Sequence, residues 1–187
     1  MFYLILLLLL LLFSNSGCSD SHHYYVTTDR SDCPLDVSLP CHQLSYYLKN
    51  QWDFIARDAV IEFLPGRHEM EGIYSFFYQR NLTLIGSKSF KSNGEYSYST
   101  AVVSCTNFSS FEFAFIDVVS IVNITFLHCG APALPVHFMS YHIALYFVSP
   151  TSLWLEGVSV EKSYGVGLLS FNAGNCVVIL LTTMNIF

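Results

Sequence analysis

The chain has 187 residues, with 8 Lys and Arg against 14 Asp and Glu and a formal net charge of -6. The length suits one domain, and the charge balance excludes a nucleic-acid surface, which needs clustered cations against phosphate. After Lys91 the only Lys or Arg is Lys162, so the second half also lacks the cations that grip a sugar acid.

Residues 1–17 read as a secretory signal peptide. Positions 4–13 form one apolar run, too short to span a bilayer comfortably, and small residues at 14–17 offer a cleavage region. A short membrane anchor is the less favoured alternative, and a lipid-modified Cys18 fits worse, because the residues before it make a poor lipobox. Six cysteines (18, 33, 41, 105, 129 and 176) and three sequons, at Asn81, Asn107 and Asn123, match an oxidising, glycosylating compartment. The expected localisation is therefore secreted or extracellular, at the cell surface if tethered.

Residues 18–57 form a lead-in and cap. The stretch 19–32 is polar and extended, with Tyr24-Tyr25-Val26 as a short strand. Cys33 and Cys41 flank Pro34 and Pro40. A bridge between them would contribute about 2–3 kcal/mol, although spacing alone leaves other pairings open. No second close cysteine pair follows, so a zinc site is not expected. Leu44, Tyr47, Leu48, Trp52 and Ile55 recur at helical spacing, which predicts one or two helical turns over 42–50. Their Tyr and Trp side chains read as the buried face of a capping helix rather than a binding platform.

Residues 58–187 read as successive strands. The first covers 58–64 and ends at the turn Pro65-Gly66. Further strands are expected at 72–77, 81–86 and 101–105, with a polar loop over 87–100. In the stretch 111–129, Phe111, Phe113 and Phe115 alternate with smaller or polar residues, and Val119 and Ile121 continue the alternation. Ile124 and Phe126 resume it with the parity shifted at Asn123. A two-residue period means a half-buried strand, and a shift at Asn means a corner, since Asn tolerates left-handed backbone. A Pro-containing loop follows over 130–139, then strands at 142–148 and 153–160, a bend over 165–175 and a final apolar strand over 176–184. Leu153-x-Leu155-x-Gly157-Val158-Ser159-Val160 repeats Val119-x-Ile121-x-Asn123-Ile124-Thr125-Phe126, and Asn81-Leu82-Thr83-Leu84 matches its second half. The spacings of 42 residues (81 to 123) and 34 residues (123 to 157) suggest two solenoid rungs and one rung with an inserted loop, at roughly 20–25 residues per rung.

With the residues in this order, the chain resembles a right-handed parallel β-helix of the pectate-lyase-like (pectin lyase-like) superfamily, and most nearly the secreted β-helix repeat proteins of animals. The resemblance runs from about Tyr24 to the end. It is carried by Tyr24-Tyr25-Val26, Cys33-Pro34, Cys41, the helix at 44–48, Phe63-Leu64-Pro65-Gly66 and the rung motifs at Asn81, Asn123 and Gly157. It implies an all-β solenoid with a short N-terminal capping helix, in which Cys105 and Cys129 meet across adjacent rungs. The last apolar strand runs to Phe187 without a polar cap. Solenoids need caps for solubility, so the β-helix is expected to be incomplete at its C-terminus or covered there by something else. The uncharged run 163–187 reads as a terminal rung in preference to a membrane span.

Enzymes of this fold cleave acidic polysaccharides with clustered carboxylates, Ca²⁺ and a basic residue. After Glu95 the only acids here are Glu112, Asp117, Glu156 and Glu161, so no catalytic residues are assigned. His128, Cys129, His137 and His142 match no zinc spacing, so no metal and no cofactor are expected. Asp53 and Asp58 read as residues that solvate the first strand. The expected function is a non-catalytic binding or structural module whose partner is a glycan or an extracellular protein. The alternatives are a polysaccharide lyase or glycoside hydrolase with its site in rungs beyond this chain, and a membrane-tethered ectodomain.

Overall fold

The computed structural model describes residues 21–29, 31, 33–34, 39–49, 56–87, 89–90, 96–97, 101–130, 143–163 and 166–184. The leader, Cys18, Trp52, Asp53, Ile55, His137, His142 and most of the expected loop over 130–139 lie outside those residues.

Alternating apolar residues become strands that stack in parallel. The strands are β1 (His22–Thr27), β2 (Cys41–Gln43), β3 (Asp58–Phe63), β4 (Arg67–Phe77), β5 (Asn81–Gly86), β6 (Ser89–Phe90), β7 (Tyr96–Ser97), β8 (Ala101–Ala114), β9 (Val118–Val122), β10 (Ile124–Leu127), β11 (Ile143–Val148), β12 (Ser152–Glu161), β13 (Val166–Phe171) and β14 (Asn175–Met184), with one helix, α1 (Leu44–Lys49). Twelve strands form one sheet, and β6 and β7 make a separate antiparallel pair. Every pairing within the large sheet is parallel. The protein is an all-β parallel solenoid, a β-helix, with a short capping helix.

Three faces run along it. The first stacks β2, β1, β3, β5, β9, and the first halves of β12 and β14. The second stacks the first halves of β4 and β8 on β10 and the second halves of β12 and β14. The third stacks the second halves of β4 and β8 on β11 and β13. Asp58, Asn81, Val118, Ser152 and Asn175 occupy the same register position on successive rungs. The intervals are 23 residues (58 to 81), 37 (81 to 118), 34 (118 to 152) and 23 (152 to 175).

This register corrects one expectation. Asn81 pairs with Val118 at the start of the first face, so it is not the counterpart of Asn123. Asn123 instead corresponds to Gly157, since Val122 pairs with Glu156 and Thr125 with Ser159. The 42-residue spacing therefore covers one rung with an insertion and a further five residues, not two rungs. The extra length sits in 87–100, which carries the β6–β7 hairpin, and in 128–142. The expected break after Cys105 is also absent: β8 runs through to Ala114, with 107–109 bulging opposite Gly72, whose N–H donates to Ser109 Oγ at 3.0 Å.

Inward side chains stack in columns. On the first face these are Ala59, Leu82, Val119 and Leu153, beside Ile61, Leu84, Ile121 and Leu155, all buried. On the third face Phe76, Phe113 and Phe147 stack with ring centroids 5.4 and 4.8 Å apart, the separation at which aromatic pairs add to area burial. The run 166–184 forms β13 and β14, in register on β11 and β12.

The N-terminal end is covered by more than a helix. β1 and β2 extend the first face beyond the first rung, and α1 buries Leu44 and Tyr47 against it. The Tyr47 hydroxyl lies 2.9 Å from the Tyr25 carbonyl and 3.0 Å from that of Pro40, donating its one proton between them. A Cys33–Cys41 disulfide closes the connection between β1 and β2. A second disulfide, Cys105–Cys129, joins adjacent rungs on the second face.

Two outcomes are expected. A Cβ on Gly86 would fall 2.1 Å from the Asn123 carbonyl oxygen of the next rung, so Gly86→Ala costs about 2–3 kcal/mol in chemical denaturation. Replacing Cys105 and Cys129 together by Ala opens a loop of 24-residue separation and lowers stability by about 3–4 kcal/mol, read by the same measurement.

Candidate functional site

The chain returns from the third face to the first through four corners of three residues each: 78–80, 115–117, 149–151 and 172–174. They lie directly above one another. The N–H groups of Tyr78, Phe115 and Ser149 donate to the carbonyls of Ala114, Val148 and Phe171 at 3.2, 3.0 and 2.7 Å. Those of Val118, Ser152 and Asn175 donate to Arg80, Asp117 and Thr151 at 2.8, 2.8 and 2.9 Å.

Each corner has the same internal logic. Its first residue is left-handed, with φ of 56° at Tyr78, 56° at Phe115, 50° at Ser149 and 54° at Asn172. Its second residue turns inward: Gln79, Ile116 and Pro150 are buried. Its third residue, Arg80, Asp117, Thr151 or Gly174, is exposed. Left-handed backbone at a non-Gly residue costs roughly 1–2 kcal/mol, and Asn or Gly would lower that cost. Asn123 and Gly157 do this at the corner between the first and second faces, with φ of 55° and 60°.

Two of the four left-handed positions nevertheless carry large aromatics that face solvent. Tyr78 is 73 % exposed and Phe115 51 %. Their rings lie 5.5 Å apart with planes 9° from parallel. Phe77 and Phe171, on the adjoining row of the third face, are 48 % and 57 % exposed. The result is a ridge parallel to the solenoid axis, with Tyr78 and Phe115 on its first two rungs, Ser149 and Asn172 on the next two, and Phe171 exposed beside Asn172. Neither backbone geometry nor burial calls for aromatics at Tyr78 and Phe115, and strained, solvent-facing positions of this kind mark candidate functional sites.

The electrostatics of the ridge are nearly neutral. Arg80 is held by Asp58 through a 2.9 Å contact from Nε to Oδ1 and a second from Nη2 to Oδ2. Asp58 is mostly buried and also accepts from Asn81 Nδ2 at 2.6 Å. The hydrogen bonds and charge of Asp58 raise the guanidinium above its ordinary value, and Asp117 adds to the effect.

The other residues singled out in the sequence are dispersed. Glu112 lies on the third face and accepts from Ser75 Oγ at 2.8 Å. Asp117 is on the ridge, Glu156 on the first face beside Trp154, and Glu161 on the second beside Ser159. Among the described residues no group of three or more His, Cys, Asp or Glu could hold a metal ion. His128 is a left-handed corner residue in line with Lys162, at φ of 59° and 50°. Of the sequon asparagines, Asn81 begins β5, Asn107 lies in the β8 bulge, and Asn123 sets its Oδ1 where a Cβ on Gly157 would fall. Among the described residues no helix is long and apolar enough to cross a membrane. A cavity of about 610 Å³ opens between α1 and β4, lined by Leu48, Lys49, Glu69, Glu71 and Tyr74 among others.

With this geometry in hand, comparison with protein-family models, with curated proteins and with solved structures finds no match to the chain.

Buried groups beneath the cap make stability depend on pH, His68 on the acid side and Tyr74, with Tyr47 and Tyr25 raised alongside it by burial, on the alkaline side. His68 is 2 % exposed, with Nε2 donating to the Leu64 carbonyl at 2.8 Å. Its Nδ1 is buried without a partner among the described residues. Burial lowers its pKa, partly offset by the Leu64 contact. Tyr74 is pushed up to about 12, first by burial and then by the charge of Glu71. Below the ordinary histidine value of 6.5 the unfolded chain binds a proton that folded His68 refuses, so stability falls as pH drops below that value. Above 10.0 the unfolded chain loses a proton that folded Tyr74 keeps, so stability falls again. Urea melts from pH 5 to pH 11 are expected to show a plateau between these limits. His68→Leu should lessen the fall on the acid side, and Tyr74→Phe should lessen the alkaline fall while leaving the part that Tyr47 and Tyr25 contribute.

Proposed function

We propose that this protein is a secreted or cell-surface β-helix module that binds an extracellular ligand without chemically altering it, and that the aromatic ridge is its contact surface. The single observation that carries this reading is the pair Tyr78 and Phe115, exposed at left-handed positions where smaller residues would be more stable. Large aromatics placed on a rigid scaffold supply contact area with little ordering cost. The two disulfides agree with an oxidising compartment, as do the apolar N-terminal run and the three sequons. Glu112, Asp117, Glu156 and Glu161 lie on different faces, so these four do not supply the two carboxyls that flank a glycosidic bond in its hydrolysis. The solenoid and its cap fit a place in the pectate-lyase-like superfamily.

The test is to immobilise the secreted protein, screen glycans and cell-surface proteins, and repeat every positive with Tyr78→Gly/Phe115→Gly. Glycine keeps the left-handed φ, so the double variant is expected to fold with thermal stability equal to or above that of the parent, while affinity falls at least ten-fold. Undiminished binding would move the contact surface elsewhere.

A further inference from the structure

Resting on the secreted part of that reading, we infer that Asn81 carries an N-linked glycan whose first sugar packs on the open face of Tyr78, while Asn123, in a sequon of the same type, stays bare.

Tyr78 and Phe115 stack along the solenoid axis with planes 9° from parallel, so each ring covers one face of the other. Phe115 stands one rung toward the C-terminal end, since Phe77 pairs with Ala114. Tyr78 belongs to the first of the four corners and is 73 % exposed. Its second face is therefore open to solvent and looks toward the N-terminal end of the axis. An aromatic face is electron-rich and attracts the weakly positive C–H groups on the face of a pyranose.

Asn81 sits where such a sugar would start. The corner that begins at Tyr78 ends at Arg80, and Asn81 follows, exposed at the start of β5. β3 flanks β5 on the N-terminal side, and Asn81 Nδ2 donates to Asp58 Oδ1 on that strand at 2.6 Å. The atom that takes the sugar and the open face of Tyr78 are thus turned toward the same end, three residues apart across one short corner. Asn81-Leu82-Thr83 completes the sequon. The other two sequons lack this arrangement, because Asn107 and Asn123 have Ser104 and Ser120 three residues before them.

The modification forms one bond and breaks one. Asn81 Nδ2 attacks C1 of an oligosaccharide carried on a lipid diphosphate. The C1–O bond breaks with its electron pair going to the diphosphate oxygen, and Nδ2 gives up one proton. The product amide keeps its other N–H, which continues to bond Asp58. The glycan takes the end face of the aromatic stack and leaves the outer edges of Tyr78 and Phe115 to an extracellular ligand.

Asn123 has no such room. It is half-buried at a left-handed corner, with φ of 55°. Its carbonyl oxygen lies 2.1 Å from where a Cβ on Gly86 would fall, on the rung before, and its Oδ1 lies 2.5 Å from where a Cβ on Gly157 would fall, on the rung after. The residue is clamped between rungs, and a sugar on its carboxamide would part them. Transfer takes place on the unfolded chain, so the fold selects among its products. A chain modified at Asn81 closes its ladder, and a chain modified at Asn123 does not.

The experiment expresses the full chain in animal cells and maps the secreted protein by glycopeptide mass spectrometry. Asn81 is expected to be occupied and Asn123 bare. By NMR, C–H protons of the first N-acetylglucosamine on Asn81 are expected to move upfield, as protons above an aromatic ring do, and Tyr78→Gly should return them to their ordinary positions. Thr83→Ala removes the sequon and leaves Asn81 in place. It is expected to lower the folding equilibrium constant about five-fold more with Tyr78 present than in the Tyr78→Gly background, a coupling read by a double-mutant cycle. Secreted protein bare at Asn81, or glycosylated at Asn123, would overturn the inference and leave the secreted reading standing. Occupancy at Asn81 with neither the upfield shift nor the coupling would overturn the seat on Tyr78. A chain retained in the cytosol with every sequon bare and Cys33, Cys41, Cys105 and Cys129 reduced would overturn the inference and the secreted reading together.

Discussion

Register is the constraint on which the rest of this structure depends. Each residue stands above its counterpart one rung away, and the parallel backbone ladder holds it there. Because side chains alternate at every strand residue, a slip of one position would turn a whole apolar column outward. The columns of Leu82, Val119 and Leu153 and of Phe76, Phe113 and Phe147 are possible only because the ladder does not slip. Gly86 shows how tightly successive rungs meet, for it leaves space for the carbonyl of Asn123 and for no side chain.

The same constraint explains the corners. A strand that must change direction without losing its place can use one left-handed residue to do it, and the fold repeats this device on all three edges. Where the edge carries a loop, as after Gly86 and after Leu127, length varies freely. Where it carries none, on the edge of Tyr78, Phe115, Ser149 and Asn172, all four corners are alike. Variation on that edge is confined to side-chain identity.

The faces were largely legible in the sequence and the edges only in part. The alternation through Phe111, Phe113, Phe115, Val119, Ile121, Ile124 and Phe126 predicts inward residues; six are buried, and Phe115 is exposed because the strand ends before it at the corner. The equivalence of Asn123 and Gly157 was visible because Asn and Gly advertise left-handed backbone by type. The aromatic ridge was not visible, because Tyr and Phe at Tyr78 and Phe115 look like the continuation of strands rich in Phe. One signal was available: Phe76-Phe77-Tyr78 and Phe113-Ala114-Phe115 both end a strand and both precede, two residues later, a charged residue. The misplaced Asn81 has a different cause. Asn-Leu-Thr-Leu copies the local pattern of Asn123-Ile124-Thr125-Phe126, but insertions of unequal length hid the true period, and only pairing resolves it.

The hydrogen bonds of all three faces run along the solenoid axis, and this gives the molecule a mechanical character. A pull along that axis loads the rungs one after another, as it loads the turns of a spring, and separation proceeds by peeling a rung at a time. The Cys105–Cys129 disulfide interrupts that series. It clamps the second rung to the third covalently, so the rungs that carry Phe115 and Ser149 stay together while the turns outside them yield. A module tethered to its surroundings through its ends would keep Phe115 and Ser149 on adjacent rungs under tension for as long as that bond is oxidised, while the rung of Tyr78 remains free to peel.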